Sequence, residues 1–322
     1  MLARYINRLP QLVATLLIPA LFVLASGGCA LNRAQSPVDP SVETGGYPLT
    51  VTDDMGRQIT LDSAPERLVS LAPSNTEILF ALGLGDKVVA VDDYSDYPPE
   101  AANLPKVGGF SKPSVEKIVS LQPDLVFATS IHEEAVKRLQ ELGMLAVVVR
   151  PGSLDDLLES IKWIGLATSA QERADELIRQ MRNRIDQVQS RVSRIPMDKR
   201  PWVYYEVYSD PIMTVGPRTL ISQLIETAGG RNIAYDADAD YPKFSSETII
   251  KRNPEVIIFP EFHGSTALTV EQVRSRDGWS EISAVKDGKV YGIDANIISR
   301  PGPRAVDALE QLVRIIHPGL LD

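Results

Sequence analysis

His132 and His263, two of the three histidines in the chain, stand 131 residues apart, each a few positions beyond a short apolar run. Two imidazoles on opposite walls of a gap could ligate a haem iron; alternatively, each simply opens the surface helix that follows. The only cysteine, Cys29, lies near the start of the chain, far from either histidine. Catalytic signatures fail in their details. His132-Glu133-Glu134 begins like a zinc-protease motif, but Val136 stands where the second histidine belongs. Gly83-Leu84-Gly85 lacks the third glycine of a dinucleotide loop and follows a helical stretch instead of a strand. There is no Gly-x-Ser-x-Gly elbow. These residue types suit binding better than catalysis, and no enzyme is expected, an exported enzyme being kept only as a further alternative.

The two histidines close two copies of one phrase. Residues 110–132 read FSKPSVEKIVSLQPDLVFATSIH, and residues 241–263 read YPKFSSETIIKRNPEVIIFPEFH. Lys112/Lys243, Ser114/Ser245, Glu116/Glu247, Ile118/Ile249, Pro123/Pro254 and His132/His263 are identical without a gap, and Phe110 and Tyr241 open the copies. Each copy starts a helix, stops it at proline and enters a buried apolar run. Two similar lobes follow from this.

Outside the repeat, residues 50–61 alternate around Asp53-Asp54-Met55-Gly56, a hairpin signal. Residues 67–72 predict a strand, after which Ser74 and Glu77 spell a capping box for the next helix. Short β-branched runs at 88–91, 124–128 and 145–149 alternate with helical stretches, and so do those at 202–207, 256–259 and 289–293. Such alternation implies parallel sheets covered by helices. Residues 169–194 contain neither glycine nor proline. Ala174, Ile178, Met181, Ile185, Val188, Val192 and Ile195 recur there at steps of four and three. That stripe predicts one long helix with a buried face, roughly 39 Å at ~1.5 Å per residue, ended by Pro196 and Pro201. It reads as a rigid connector between the lobes.

The chain's 322 residues, 44% hydrophobic and 23% charged, are enough for two well-filled lobes. A net charge of −9 excludes the basic face that nucleic acid requires. Arg4 and Arg8 precede an uncharged apolar run at 12–25, too short for a bilayer span of ~20 residues but suited to a signal peptide. Ser26-Gly27-Gly28 then leads into Cys29. The order resembles a lipoprotein signal, in which Cys29 is lipidated and becomes the mature N-terminus. Residues 30–49, polar and rich in Pro, Gly and Ser, read as a flexible tether.

Between Arg67 and Pro318 the phrases RLVSLAPSNTEILFALGLGDKVVAVDDYSDYPPEAANLPKVGGFSKPSVEKIVSLQPDLVFAT, TAGGRNIA, FSSETIIKRNPEVIIF, VKDGKVYGID and SRPGPRAVDALEQL closely resemble bacterial substrate-binding proteins for cobalamin, haem and ferric siderophores. The resemblance implies two Rossmann-like α/β lobes with parallel sheets joined by one long α-helix. The parts would be signal peptide 1–29, tether 30–49, first lobe 50–168, connecting helix 169–196 and second lobe 197–322. It implies an exported, lipid-anchored monomer that captures a corrinoid or iron chelate and delivers it to the permease dimer of an ABC importer with its ATPase. The ligand would be cargo, and no cofactor is implied. By the same resemblance the ligand cage falls on Tyr94, Phe110, Thr129, Val207 and Tyr241, with Arg300 nearby. Glu116 and Glu247, at equivalent helix starts, would pair with permease arginines. On physical grounds alone, each is an acid favoured by a helix N-terminus.

Overall fold

The computed structural model describes residues 46–261 and 268–322. Alternation around the Asp53–Gly56 turn forms the hairpin β1 (Leu49–Thr52) and β2 (Gln58–Leu61), with Gly56 at φ 73° where the turn needs a left-handed residue. Then follow β3 (Leu68–Ser70), α1 (Pro73–Ala81), β4 (Val88–Val91), the two-residue strands β5 (Gly108–Gly109) and β6 (Lys112–Pro113), α2 (Val115–Ser120), β7 (Leu125–Ala128), α3 (Glu133–Glu141) and β8 (Ala146–Val148). Their main sheet runs β4-β3-β7-β8, every pair parallel.

Two helices come next, α4 (Leu154–Ala167) and α5 (Gln171–Val192). The second half is β9 (Trp202–Ser209), β10 (Ile212–Thr214), α6 (Leu220–Thr227), β11 (Arg231–Asn232), α7 (Ser246–Arg252), β12 (Val256–Glu261), α8 (Val270–Arg274), α9 (Ser283–Lys286), β13 (Val290–Asp294), α10 (Ala295–Ile298) and α11 (Ala305–Ile316). Its sheet runs β10-β9-β12-β13 with β11 also on β9, and only β10 is antiparallel. Two α/β lobes with parallel sheets, joined through a long helix, are the architecture.

The connector differs in detail from the stripe at 169–194. Ser169 turns left-handed at φ 56°, so α5 begins only at Gln171 and spans 22 residues, roughly 33 Å at ~1.5 Å per residue. The α4 helix lies against it so closely that a Cβ on Gly165 would come within 2.4 Å of the Ala174 Cβ. Met181, Ile185, Val188 and Val192 are buried as expected, and Arg184 fastens α5 to α11 through Asp307 at 2.6 Å and Glu310 at 2.8 Å.

Strand alternation divides the core. Leu125 and Phe127 on β7, Val203 and Tyr205 on β9, and Ile258 on β12 join one cluster with α4, α5 and α11. Val126 and Ala128 face the other way, onto α2 and α3, while Tyr204, Ile257 and Phe259 pack around Trp279. One continuous core therefore runs through both sheets, and each sheet has a private core on its far face.

Candidate functional site

Tyr94 and Thr129 follow the carboxyl ends of β4 and β7, where open α/β sheets expose ligand-binding loops; Val207 lies within β9 itself and Arg300 just after α10. On the first lobe, β4 leads into Asp92. Its carboxylate accepts from the Tyr94 amide at 3.1 Å and from the Ser95 hydroxyl, and Ser95 in turn meets Thr76 at 2.7 Å. Burial pushes the Asp92 carboxyl up, opposed by the Ser95 and Tyr94 hydrogen bonds and by Lys106 and Arg300. Tyr94 stands above this buried network with 61% of its surface exposed.

Phe110 is half-buried and lies edge-on to His132, with ring centroids 5.4 Å apart and planes at 76°. His132 is 2% exposed. Its Nδ1 accepts the Thr129 amide at 3.0 Å, and its Nε2 meets the Phe110 carbonyl oxygen. Both ring nitrogens are thus occupied, so of the two readings left open for His132 the structure favours helix opening, directly before α3, over iron ligation. His263, the other candidate, lies outside the described residues, as does Cys29.

On the second lobe, Val207 is half-buried near the end of β9, and Tyr241 is 51% exposed. The Tyr241 loop is fastened from two sides. Arg218 donates to Asp240 at 3.1 Å and to the Asp238 carbonyl, and Arg252 forks onto Asp236 at 2.6 and 3.1 Å. The loop also approaches the backbone so closely that a Cβ on Gly216 would sit 2.0 Å from the Ala239 oxygen. The Tyr241 phenol is pushed up by its surroundings and by Asp240, and Arg150 of the first lobe opposes that rise. Sequence reasoning passed over the neighbouring Tyr208, 48% exposed at the end of β9, although strand alternation beyond buried Tyr204 and Glu206 could have found it.

Between the lobes the structure overturns a local reading. The α1 helix starts at Pro73 after Ala72, without a side-chain cap, so Ser74 and Glu77 form no capping box. Glu77 is instead 3% exposed and takes a two-pronged grip from Arg304 of the second lobe, at 2.9 and 2.5 Å. Arg300 lies 3.6 Å from the same carboxylate and 2.6 Å from Asp96, and Arg304 stacks 3.9 Å from the Tyr97 ring centre. Arg300 is therefore engaged in a clasp between the lobes, with only 14% of its side chain exposed.

The repeat builds two matching helix starts. Ser114 caps α2 through the Lys117 amide at 3.3 Å, and Ser245 caps α7 through the Thr248 amide at 3.2 Å. Glu116 and Glu247 occupy the first turns, fully exposed, with carboxyls held below the ordinary range. For Glu116 the main cause is its own backbone amide, then the Ser114 hydroxyl; for Glu247 the Ser245 hydroxyl comes first. Both helices end left-handed before proline, at Gln122 (φ 48°) and Asn253 (φ 45°). The next acid then secures the neighbouring strand: Asp124 accepts the Arg67 amide and Glu255 the Trp202 amide. Two hollows lie elsewhere, along α5; one of about 490 Å³ opens between Tyr47, Gly83 and Arg173, away from all the predicted cage residues.

Residues 68–297 match the model of the periplasmic binding protein family. An ABC transporter substrate-binding lipoprotein of Bacillus subtilis, itself uncharacterised, is 36% identical, over 95% of this chain and 96% of its own. The vitamin B12-binding protein of Vibrio cholerae is 32% identical over 77% of this chain and 87% of its own. Among solved structures, a periplasmic haem-binding protein of Roseiflexus superposes with a TM-score of 0.71 at 29% identity, covering 80% of this chain and all of that one. These relatives are named as binding proteins, one of them the substrate-binding lipoprotein of an ABC transporter, and none as an enzyme; what such a family binds is a transported ligand, not a cofactor.

Proposed function

Because the chain belongs to the periplasmic binding protein family, we propose that it is exported, works with an ABC importer and captures cobalamin or a related corrinoid between its lobes. Haem or a ferric siderophore is the alternative cargo. One observation carries this reading. Tyr94 and Tyr241 stand half or more exposed on loops of different lobes, each braced by a polar network beneath it. Exposed aromatics on braced loops suit a large flat ligand, which is held chiefly through its faces. Phe110, Thr129 and Val207 complete the walls in this reading. Arg300 sits beneath them as a lobe-to-lobe strut, a more structural task than ligand contact. Similarity to the Roseiflexus protein keeps haem in view, but His132 has no nitrogen to offer the iron.

In the same reading, Glu116 and Glu247 are the contacts for permease arginines. In a β-α-β unit the helix begins at the carboxyl edge of the sheet, so both acids stand on the side of the cleft. Cys29 carries the lipid, and the leash expected over 30–49 ends before Tyr47, whose hydroxyl donates to the Ala167 carbonyl oxygen, and Leu49 of β1, which pairs with Leu61. Segments 50–168, 169–196 and 197–322 act as lobe, connector and lobe of a monomer.

The test is retention of a chromophore. Purified protein is incubated with cyanocobalamin, haemin or a ferric hydroxamate, desalted, and its spectrum recorded. Retained cobalamin absorbance supports the reading, and retention of haemin alone transfers it to the alternative. Replacing Glu116 and Glu247 together by alanine leaves affinity within about threefold, under ~0.7 kcal/mol, while uptake through the importer collapses. Normal uptake by that variant removes the docking assignment.

A further inference from the structure

His132 lies behind the first-lobe wall, not in it. Its ring joins two pieces of chain that are 22 residues apart in sequence, the loop at Phe110 and the end of β7 at Thr129. An amide can only donate, so the 3.0 Å contact from the Thr129 N–H makes Nδ1 the unprotonated nitrogen. The single imidazole proton is then on Nε2 and points to the Phe110 carbonyl oxygen. The same ring lies nearly perpendicular to the Phe110 ring, at 76° with 5.4 Å between centroids, a favoured aromatic arrangement.

We propose that His132 is a positioning residue, whose neutral Nε2–H imidazole locks Phe110 and Thr129 into one preformed ligand wall. The proposal rests on the reading of those two residues as cleft wall. The chemistry fits the task. A loop bound only by its own backbone would have to be ordered when ligand arrives, at a cost to affinity. Here that ordering is done beforehand by a side chain 2% exposed, protected from competing water. Burial keeps the ring neutral, against the pull of the Phe110 carbonyl and of Asp92. A cation would turn an Nδ1 proton against the Thr129 amide, placing two donors face to face.

Amide hydrogen exchange, measured without ligand, tests the lock itself. His132→Asn retains an oxygen near the Nδ1 position and should protect Thr129 while exchange at 108–114 rises about tenfold, one hydrogen bond's worth. His132→Gln carries an amide donor out to the Nε2 position and should do the reverse; His132→Leu should release both. In wild-type protein, imidazole nitrogen NMR should show Nε2 protonated and Nδ1 bare. Wild-type exchange at both sites in the Asn and Gln variants, or an Nδ1–H tautomer, overturns the lock. Cyanocobalamin and haemin affinities then test its purpose: each variant with a loosened Phe110 loop should bind three- to tenfold more weakly. Unchanged affinity in such a variant overturns positioning. If wild-type protein retains neither ligand, the cleft reading fails, while the exchange pattern still decides whether His132 ties the two segments.

Discussion

The two copies of the repeated phrase build one scaffold and then brace their aromatic residues by opposite means. In both, serine caps the helix, a left-handed residue precedes proline, and an acid secures the adjacent strand. Beyond that they part. Phe110 is half-buried and held from behind by an uncharged imidazole, whereas Tyr241 is half exposed on a loop tied by guanidiniums to carboxylates. The Arg218–Asp240 pair is largely in solvent, its side chains 61% and 38% exposed. Short-range grammar therefore sets the scaffold, while each wall is fixed by residues from outside the phrase or from further along it. One wall should resist salt and yield to acid, and the other should do the opposite.

The comparison breaks hardest where both walls share a foundation, the Glu77–Arg304 clasp. Arg304→Ala leaves a buried carboxylate without its main partner and should cost about 3–5 kcal/mol in urea unfolding. Replacing both residues by leucine should recover most of that loss, because the cost lies in the orphaned charge. A single-variant cost below about 1 kcal/mol would mean that the clasp is solvated and the lobes are not joined there.

Next in size is the loss of an aromatic wall. Tyr241→Ala should weaken cyanocobalamin or haemin binding about tenfold, ~1.4 kcal/mol, with little change in melting temperature. Phe110→Ala should weaken binding comparably but also lower stability, since its ring packs on His132. Equal stability in the two variants would erase the difference between the walls.

Acid should act through the first wall. The folded-state value of His132 lies below 6.5, so its contribution to stability is complete above about pH 6.5 and is lost as pH falls from there through the lowered value. Each unit of lowering is worth about 1.4 kcal/mol. Asp92, raised by burial, titrates with the opposite sign, so the measurement is the stability difference between wild type and His132→Gln across pH 7.5 to 4.5. A difference that stays flat across that range leaves no role for the neutral ring. The smallest effect belongs to the second wall: Arg218→Gln should cost about 0.2–1 kcal/mol at low salt and less at 0.5 M salt, where the Debye length is under about 8 Å. A cost that does not diminish with salt would place that pair in a drier setting than its exposure indicates.

Much of this was legible from residue order because it is local. Ser114 and Ser245 cap the helices they were expected to start, and the short apolar runs became strands facing two cores. Glu77 shows where local grammar misleads. Ser74-Asn75-Thr76-Glu77 has the form of a capping box, but Pro73 already opens the helix. The partner that claims Glu77 lies 227 residues further on, too remote for any window of sequence to register. His132 is a similar case: as a histidine after a strand it suggested a metal ligand, and only the return of the Phe110 loop shows its nitrogens to be occupied. The connector was legible in its stripe and not in its start, because a single left-handed turn at Ser169 leaves no mark on hydrophobic periodicity.

The continuous core also dictates an order of assembly. Val51 and Ile59 of the first hairpin share a cluster with Val306, Leu309, Leu312, Val313 and Ile316 of the last helix. Until α11 is present, the inner faces of both sheets and the buried stripe of α5 lack part of their cover, and these late contacts span most of the chain. Folding that must wait for such distant contacts is slow. A version ending before Ala305 should show no cooperative melt, even though every residue of both cage walls would still be in it.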